Sequence, residues 1–133
     1  MPTEIRMKSA LQAYIDAYNR NDLEAIIALY HDDATVEDPY GSSPREGKTK
    51  IVEFYRNVMA NGATLQLCAP IRASHGDAAA MAFDAVVKLP QGEVRVRVID
   101  VMTFDEAGLI TSMRAYFGPG DIEMKASTDS RND

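Results

Sequence analysis

The chain has 133 residues, one cysteine and a formal net charge of −6. That length fits one domain with a core of its own, the lone Cys68 excludes an intrachain disulfide, and the acidic balance counts against nucleic acid or an anionic membrane as a partner. Hydrophobic residues at 46% and charged ones at 26% fit a soluble globular protein; with no membrane-spanning apolar run and no signal-peptide pattern, the expected location is the cytoplasm.

Residues 4–20 read as a helix, with Met7, Leu11, Tyr14 and Tyr18 recurring at helical spacing and Ile15 beside them. Asn21-Asp22 breaks it and caps a second helix, Leu23 to Tyr30. His31-Asp32-Asp33 reads as a solvated turn. Thr35-Val36-Glu37-Asp38 reads as a short strand, and Pro39-Tyr40-Gly41-Ser42-Ser43-Pro44 as a loop. A third helix runs from Lys48 to Met59, with Ile51, Phe54, Tyr55, Val58 and Met59 on one stripe. The period then falls to two. Strands are expected from Thr64 to Cys68, continuing with an interruption to Ser74, then at Ala78–Leu89, Glu93–Phe104 and Leu109–Phe117. Helices first and a meander of strands after them imply an α+β domain, with three helices packed on one face of a curved, mostly antiparallel sheet. The domain is expected over residues 1–118, and residues 119–133 read as a polar, mobile tail.

Two carboxylates sit where alternation puts apolar side chains. Asp38 points the same way as Val36, and the proline after it favours an extended backbone. Such a residue is a plausible general base, and taken alone it is also a common turn residue. Asp100 shares a face with Val94, Val96, Val98, Met102 and Phe104. Staying neutral at pH 7 needs roughly 4 kcal/mol of bias against its charged form, which full burial can supply. A neutral carboxyl is a hydrogen-bond donor, and Tyr14 and Tyr55 are phenols on apolar helix faces. Each of those tyrosines is equally readable as a core residue with a satisfied hydroxyl. Arg114 is a candidate counter-ion for Asp100, but alternation turns it to the face opposite Met113, Ala115 and Phe117. A base with two neutral donors suits proton abstraction beside a carbonyl.

These residues resemble the ketosteroid isomerases of the nuclear-transport-factor-2-like (NTF2-like) superfamily. The resemblance runs to about Gly118. It rests on residues 22–30 (Asp-Leu-Glu-Ala-Ile-Ile-Ala-Leu-Tyr), residues 32–39 (Asp-Asp-Ala-Thr-Val-Glu-Asp-Pro), Ile51-Val52-Glu53-Phe54-Tyr55, Ile99-Asp100 and residues 113–118 (Met-Arg-Ala-Tyr-Phe-Gly). It implies a cone-shaped fold and conversion of 3-oxo-Δ5-steroids to conjugated 3-oxo-Δ4-steroids. Asp38 would be the base, Tyr14 and Asp100 the oxyanion donors, and Tyr55 and Tyr30 a supporting hydrogen-bond network. It also implies a homodimer through the outer sheet face, and no cofactor or metal. Val36, Met81, Phe83, Val98, Met102, Met113 and Phe117 are the apolar candidates for contact with a steroid. The rival readings are a polyketide cyclase, an epoxide hydrolase or a non-catalytic small-molecule binder on the same fold. The segment Arg72–Ala78, the turn Pro90-Gln91-Gly92 and the long polar tail depart from the family pattern.

Overall fold

A computed structural model describes residues 2–126. Helix α1 spans Glu4–Asn19, and the Thr3 hydroxyl caps it by accepting from the Arg6 amide at 3.1 Å. Helix α2, Leu23–Ile27, starts the same way, with Asp22 accepting from the Ala25 amide. Helix α3 is Lys48–Met59. Its apolar stripe buries Ile51, Phe54, Tyr55 and Met59, as the spacing predicts.

The strands are β1 Tyr30–Glu37, β2 Arg45–Glu46, β3 Thr64–Leu67, β4 Ala78–Leu89, β5 Gly92–Phe104, β6 Ile110–Tyr116 and β7 Ile122–Ala126. They form one sheet in the order β2-β1-β6-β5-β4-β3, with β7 also paired to β5. Among the described strands only the β1–β6 ladder is parallel. The helices cover the inner face, and the core is the layer of Met7, Leu11, Ile51, Met81, Met102 and Met113 between them, each at most 2% exposed.

The structure departs from the sequence expectation most clearly in two places, and His31-Asp32-Asp33 lies in β1 instead of a turn. The second helix stops at Ile27 rather than Tyr30, and Tyr30 opens β1. The apolar spacing of Ile26, Leu29 and Tyr30 suits a helix, but the Leu29 carbonyl accepts from the Ile110 amide at 2.8 Å and the chain joins the sheet there. A shift of register between Tyr30 and Thr35 leaves Asp32 and Asp33 exposed within the strand. The expected tail is also shorter than residues 119–133. Pro119–Asp121 forms a turn of 3-10 helix, and β7 pairs with β5 from Gly92↔Ala126 to Val96↔Ile122. Ile122 and Met124 alternate with Glu123 and Lys125, a period of two hidden in a polar stretch. Residues 127–133 lie outside the described residues.

Candidate active site

Asp38 stands just past the end of β1, before a cis Asp38–Pro39 bond. The parallel register Val36↔Met113 and Glu37↔Arg114 anchors the strand, and two residues beyond Asp38 the Tyr40 amide donates to the Ala115 carbonyl at 2.7 Å. Glu37 meets Arg114 at 3.4 Å, and the Arg114 guanidinium lies 5.4 Å from the Tyr40 ring centre. Arg114 is therefore engaged with Glu37 and Tyr40, and Asp100 does not hold it.

Asp100 sits in the middle of β5, opposite Met81 of β4 and Ala115 of β6. It is 1% exposed, and its Oδ1 has no hydrogen-bond partner among the described residues. Burial, and after it the nearby charge of Asp38, push its carboxyl well above the usual carboxylate range. Asp38 is only half-buried. Burial raises its pKa too, but the positive charge of Arg45 offsets part of the rise and leaves it at about 6. One carboxyl is thus biased to stay a neutral donor while the other ionises near neutrality.

Tyr14 faces them from α1. Its hydroxyl lies 2.9 Å from that of Tyr55, which lies 2.6 Å from that of Tyr30. All three phenols are buried, and burial is the main cause that raises each of their pKa values. They stay protonated.

Tyr14, Asp38 and Asp100 share the wall of one cavity of about 210 Å³, and Tyr55 lines it with them. Of the apolar residues expected to contact a ligand, Phe83, Val98 and Phe117 line this cavity. Val36, Met81, Met102 and Met113 do not; they are core, at most 2% exposed. Alternation assigns a residue to the inner face but does not say how far under the helices it lies. Tyr30 stays behind Tyr55 and does not line the cavity.

Sequence reasoning gave no role to several residues that the structure brings here. Tyr18, one helical turn beyond Tyr14, shares the cavity. Its phenol is pushed up to about 12, by burial first and then by Asp38 and Asp100. Its position on the Tyr14 stripe was the available signal. Arg45, opposite Val36 in β2, has its guanidinium carbon 4.6 Å from the Phe54 ring centre. Nothing in the pattern Pro44-Arg45-Glu46 marks it. It lines a second, outer cavity of about 500 Å³ with Lys50, Glu53 and Asn57. The two cavities share Asp38, Phe54, Val58 and Phe117. Among the described residues no three His, Cys, Asp or Glu side chains stand together as metal ligands.

A curved sheet closed by three helices, with acids of unequal strength on the wall of an apolar cavity, defines the chain as an NTF2-like α+β domain. It belongs to the SnoaL-like domain family, whose model matches residues 11–113, and it is a ketosteroid-isomerase-type member of the superfamily. It is 41% identical over 116 residues to the Steroid Delta-isomerase of Nocardioides simplex, an alignment covering 87% of this chain and 93% of that protein. It is 27% identical to the Epoxide hydrolase LasB of Streptomyces lasalocidi, over 95% of this chain and 46% of that protein. A solved structure of SalBIII, an epoxide hydrolase/cyclase-like enzyme in pyran ring formation in polyether salinomycin, superposes with a TM-score of 0.83. The superposition covers 90% of this chain and 95% of that one, at 28% identity.

Proposed function

We propose that the protein is a steroid Δ-isomerase that moves the double bond of a 3-oxo-Δ5-steroid into conjugation. The observation that carries this reading is the shared cavity wall of Tyr14, Asp38 and Asp100, in which one acid ionises near pH 6 while the other is held neutral. The likeness to a steroid Δ-isomerase over most of the chain supports it.

In this reading the Asp38 carboxylate takes a proton from C4. The C4–H electron pair becomes the C3–C4 double bond of a dienolate, and negative charge collects on the C3 oxygen. Tyr14 and Asp100 donate hydrogen bonds to that oxygen, and such preorganised donors are worth most where water is excluded. Asp38 then returns the same proton to C6, which leaves the double bond between C4 and C5. No electrons are gained or lost and no proton needs to be exchanged with solvent. Tyr55 and Tyr30 hold Tyr14 in place.

A homodimer belongs to the same reading. Exposed Ile99 pairs across the sheet with exposed Tyr116, whose ring centre is 5.1 Å from that of exposed Tyr40, and this apolar patch on the outer face supports self-association.

The likeness to LasB and SalBIII favours epoxide opening as the second reading, since that chemistry also uses paired acids. It calls for a second ionised acid and a positioned water. A neutral Asp100, with a phenol at Tyr14 where the water would stand, counts against it.

The test mixes the purified protein with 5-androstene-3,17-dione and follows the ultraviolet absorbance of the conjugated enone, with Asp38→Asn beside it. A rise with the wild-type chain and almost none with the variant is expected. No rise in a folded wild-type protein would overturn the isomerase reading.

A further inference from the structure

We infer that the substrate carries an anionic group, a carboxylate on its side chain, at the end remote from the reacting carbonyl, and that Arg45 and Lys50 select for it. This rests on the isomerase reading of the inner cavity and adds the substrate class.

The first step is one of size. Sites for drug-sized ligands run to roughly 300–1,000 Å³, and the inner cavity is about 210 Å³. It holds the reacting end of a four-ring molecule and not the whole of it. The outer cavity, about 500 Å³, adjoins it, the two sharing Asp38, Phe54, Val58 and Phe117. A ligand whose carbonyl reaches Tyr14 and Asp100 therefore passes Asp38 and ends between β2 and α3.

The second step is one of chemistry. That end is polar, with Arg45, Lys50, Glu53 and Asn57 on its wall. Stacking on Phe54 holds Arg45 in place without neutralising it, and its Nη1 is buried with no hydrogen-bond partner. Among the described residues neither Arg45 nor Lys50 forms an ion pair, whereas their neighbour Lys48 meets Asp32 at 3.3 Å. Glu53, three residues after Lys50 on α3, offsets part of that lysine's charge, and Asp38 offsets part of that of Arg45; Arg45, held on Phe54 with an unpartnered Nη1, is the main determinant. The chain's net charge of −6 gives an anion no long-range attraction, so any preference for one must be local. A carboxylate is the planar partner that a guanidinium binds best.

The experiment measures equilibrium binding, by titration calorimetry at pH 8, of two unreactive 3-oxo-Δ4-steroids, one with a side-chain carboxylate at C17 and one with the matching neutral amide. The acid is expected to bind about tenfold more tightly, the size of one charge-assisted hydrogen bond. Added salt should shrink that ratio. Arg45→Met should bring it close to one while leaving the amide bound, Lys50→Met should reduce it less, and Arg45→Lys should restore part of it. Equal affinity for acid and amide in the wild-type chain would overturn the inference and leave the isomerase reading intact. So would an acid preference that survives Arg45→Met in a protein that still binds the amide. Failure of a folded wild-type chain to bind either steroid would overturn both.

Discussion

The two acids of the pocket are the same residue type on the same face of one sheet, and they are built to behave differently. Asp100 lies in the middle of a central strand, with strands on both sides and helices above, and among the described residues no cation is paired with it. Asp38 lies just past the end of β1, half-buried, with Arg45 on the wall of the same outer cavity. Depth in the sheet sets one acid against ionisation, and a neighbouring charge holds the other at about 6. Position along a strand, more than residue type, decides which carboxyl is biased toward its neutral form and which ionises near neutrality.

Asp38→Asn breaks this contrast most directly. It should lower turnover by about 10²–10⁴-fold, the usual worth of a general base, while steroid binding measured by calorimetry stays within a few-fold of wild type. A mild loss would remove Asp38 from the role of base. On the other side, Tyr14→Phe and Asp100→Leu each remove one of the proposed oxyanion donors and should each cost about 10²–10³-fold in kcat. Asp100→Leu should also keep or raise the melting temperature, because it replaces a buried carboxyl that has an unpartnered oxygen. A large drop in melting temperature would mean that Asp100 is charged and paired.

The pH dependence sharpens the comparison. Asp38 acts as a base only when ionised, so kcat/KM should rise with pH through about 6 and then level off. Arg45→Met removes the charge that holds this value down, so the rising limb should move to higher pH. An unmoved limb would show that Arg45 does not act on Asp38. The same group has a smaller effect on stability. A carboxyl whose folded pKa is raised favours folding at pH below its unfolded value near 3.8, and that contribution is lost as pH rises to about 6. Asp38→Asn should therefore flatten the melting temperature between those two pH values.

Much of this contrast was legible in the sequence, and the limits are physical. Helix α3 and strand β4 have the bounds that their periodicity predicts, and a simple count of two placed Asp100 inside. That count carries no depth, so Met81, Met102, Met113 and Val36 looked like pocket residues when they are core. Local pattern also could not foresee that Tyr30 leaves its helical spacing to pair with Ile110, because the partner is 80 residues away. Arg45 was invisible for the same reason, since its meaning comes from Phe54 and Asp38 and not from its own segment.

The phenol chain behind Tyr14 has a polarity. Three hydroxyl protons serve two contacts, so one proton is left over, on Tyr30, on Tyr55 or on Tyr14. If it emerges at Tyr30, it meets a site only 1% exposed, where an unmatched O–H costs about 1–3 kcal/mol. If it is left on Tyr14 or on Tyr55, it is beside the cavity that both line, where a ligand oxygen can accept it. Burial of Tyr30 therefore works as a one-way stop: Tyr30 donates to Tyr55, and the spare proton is left on the cavity side of the chain before any ligand arrives.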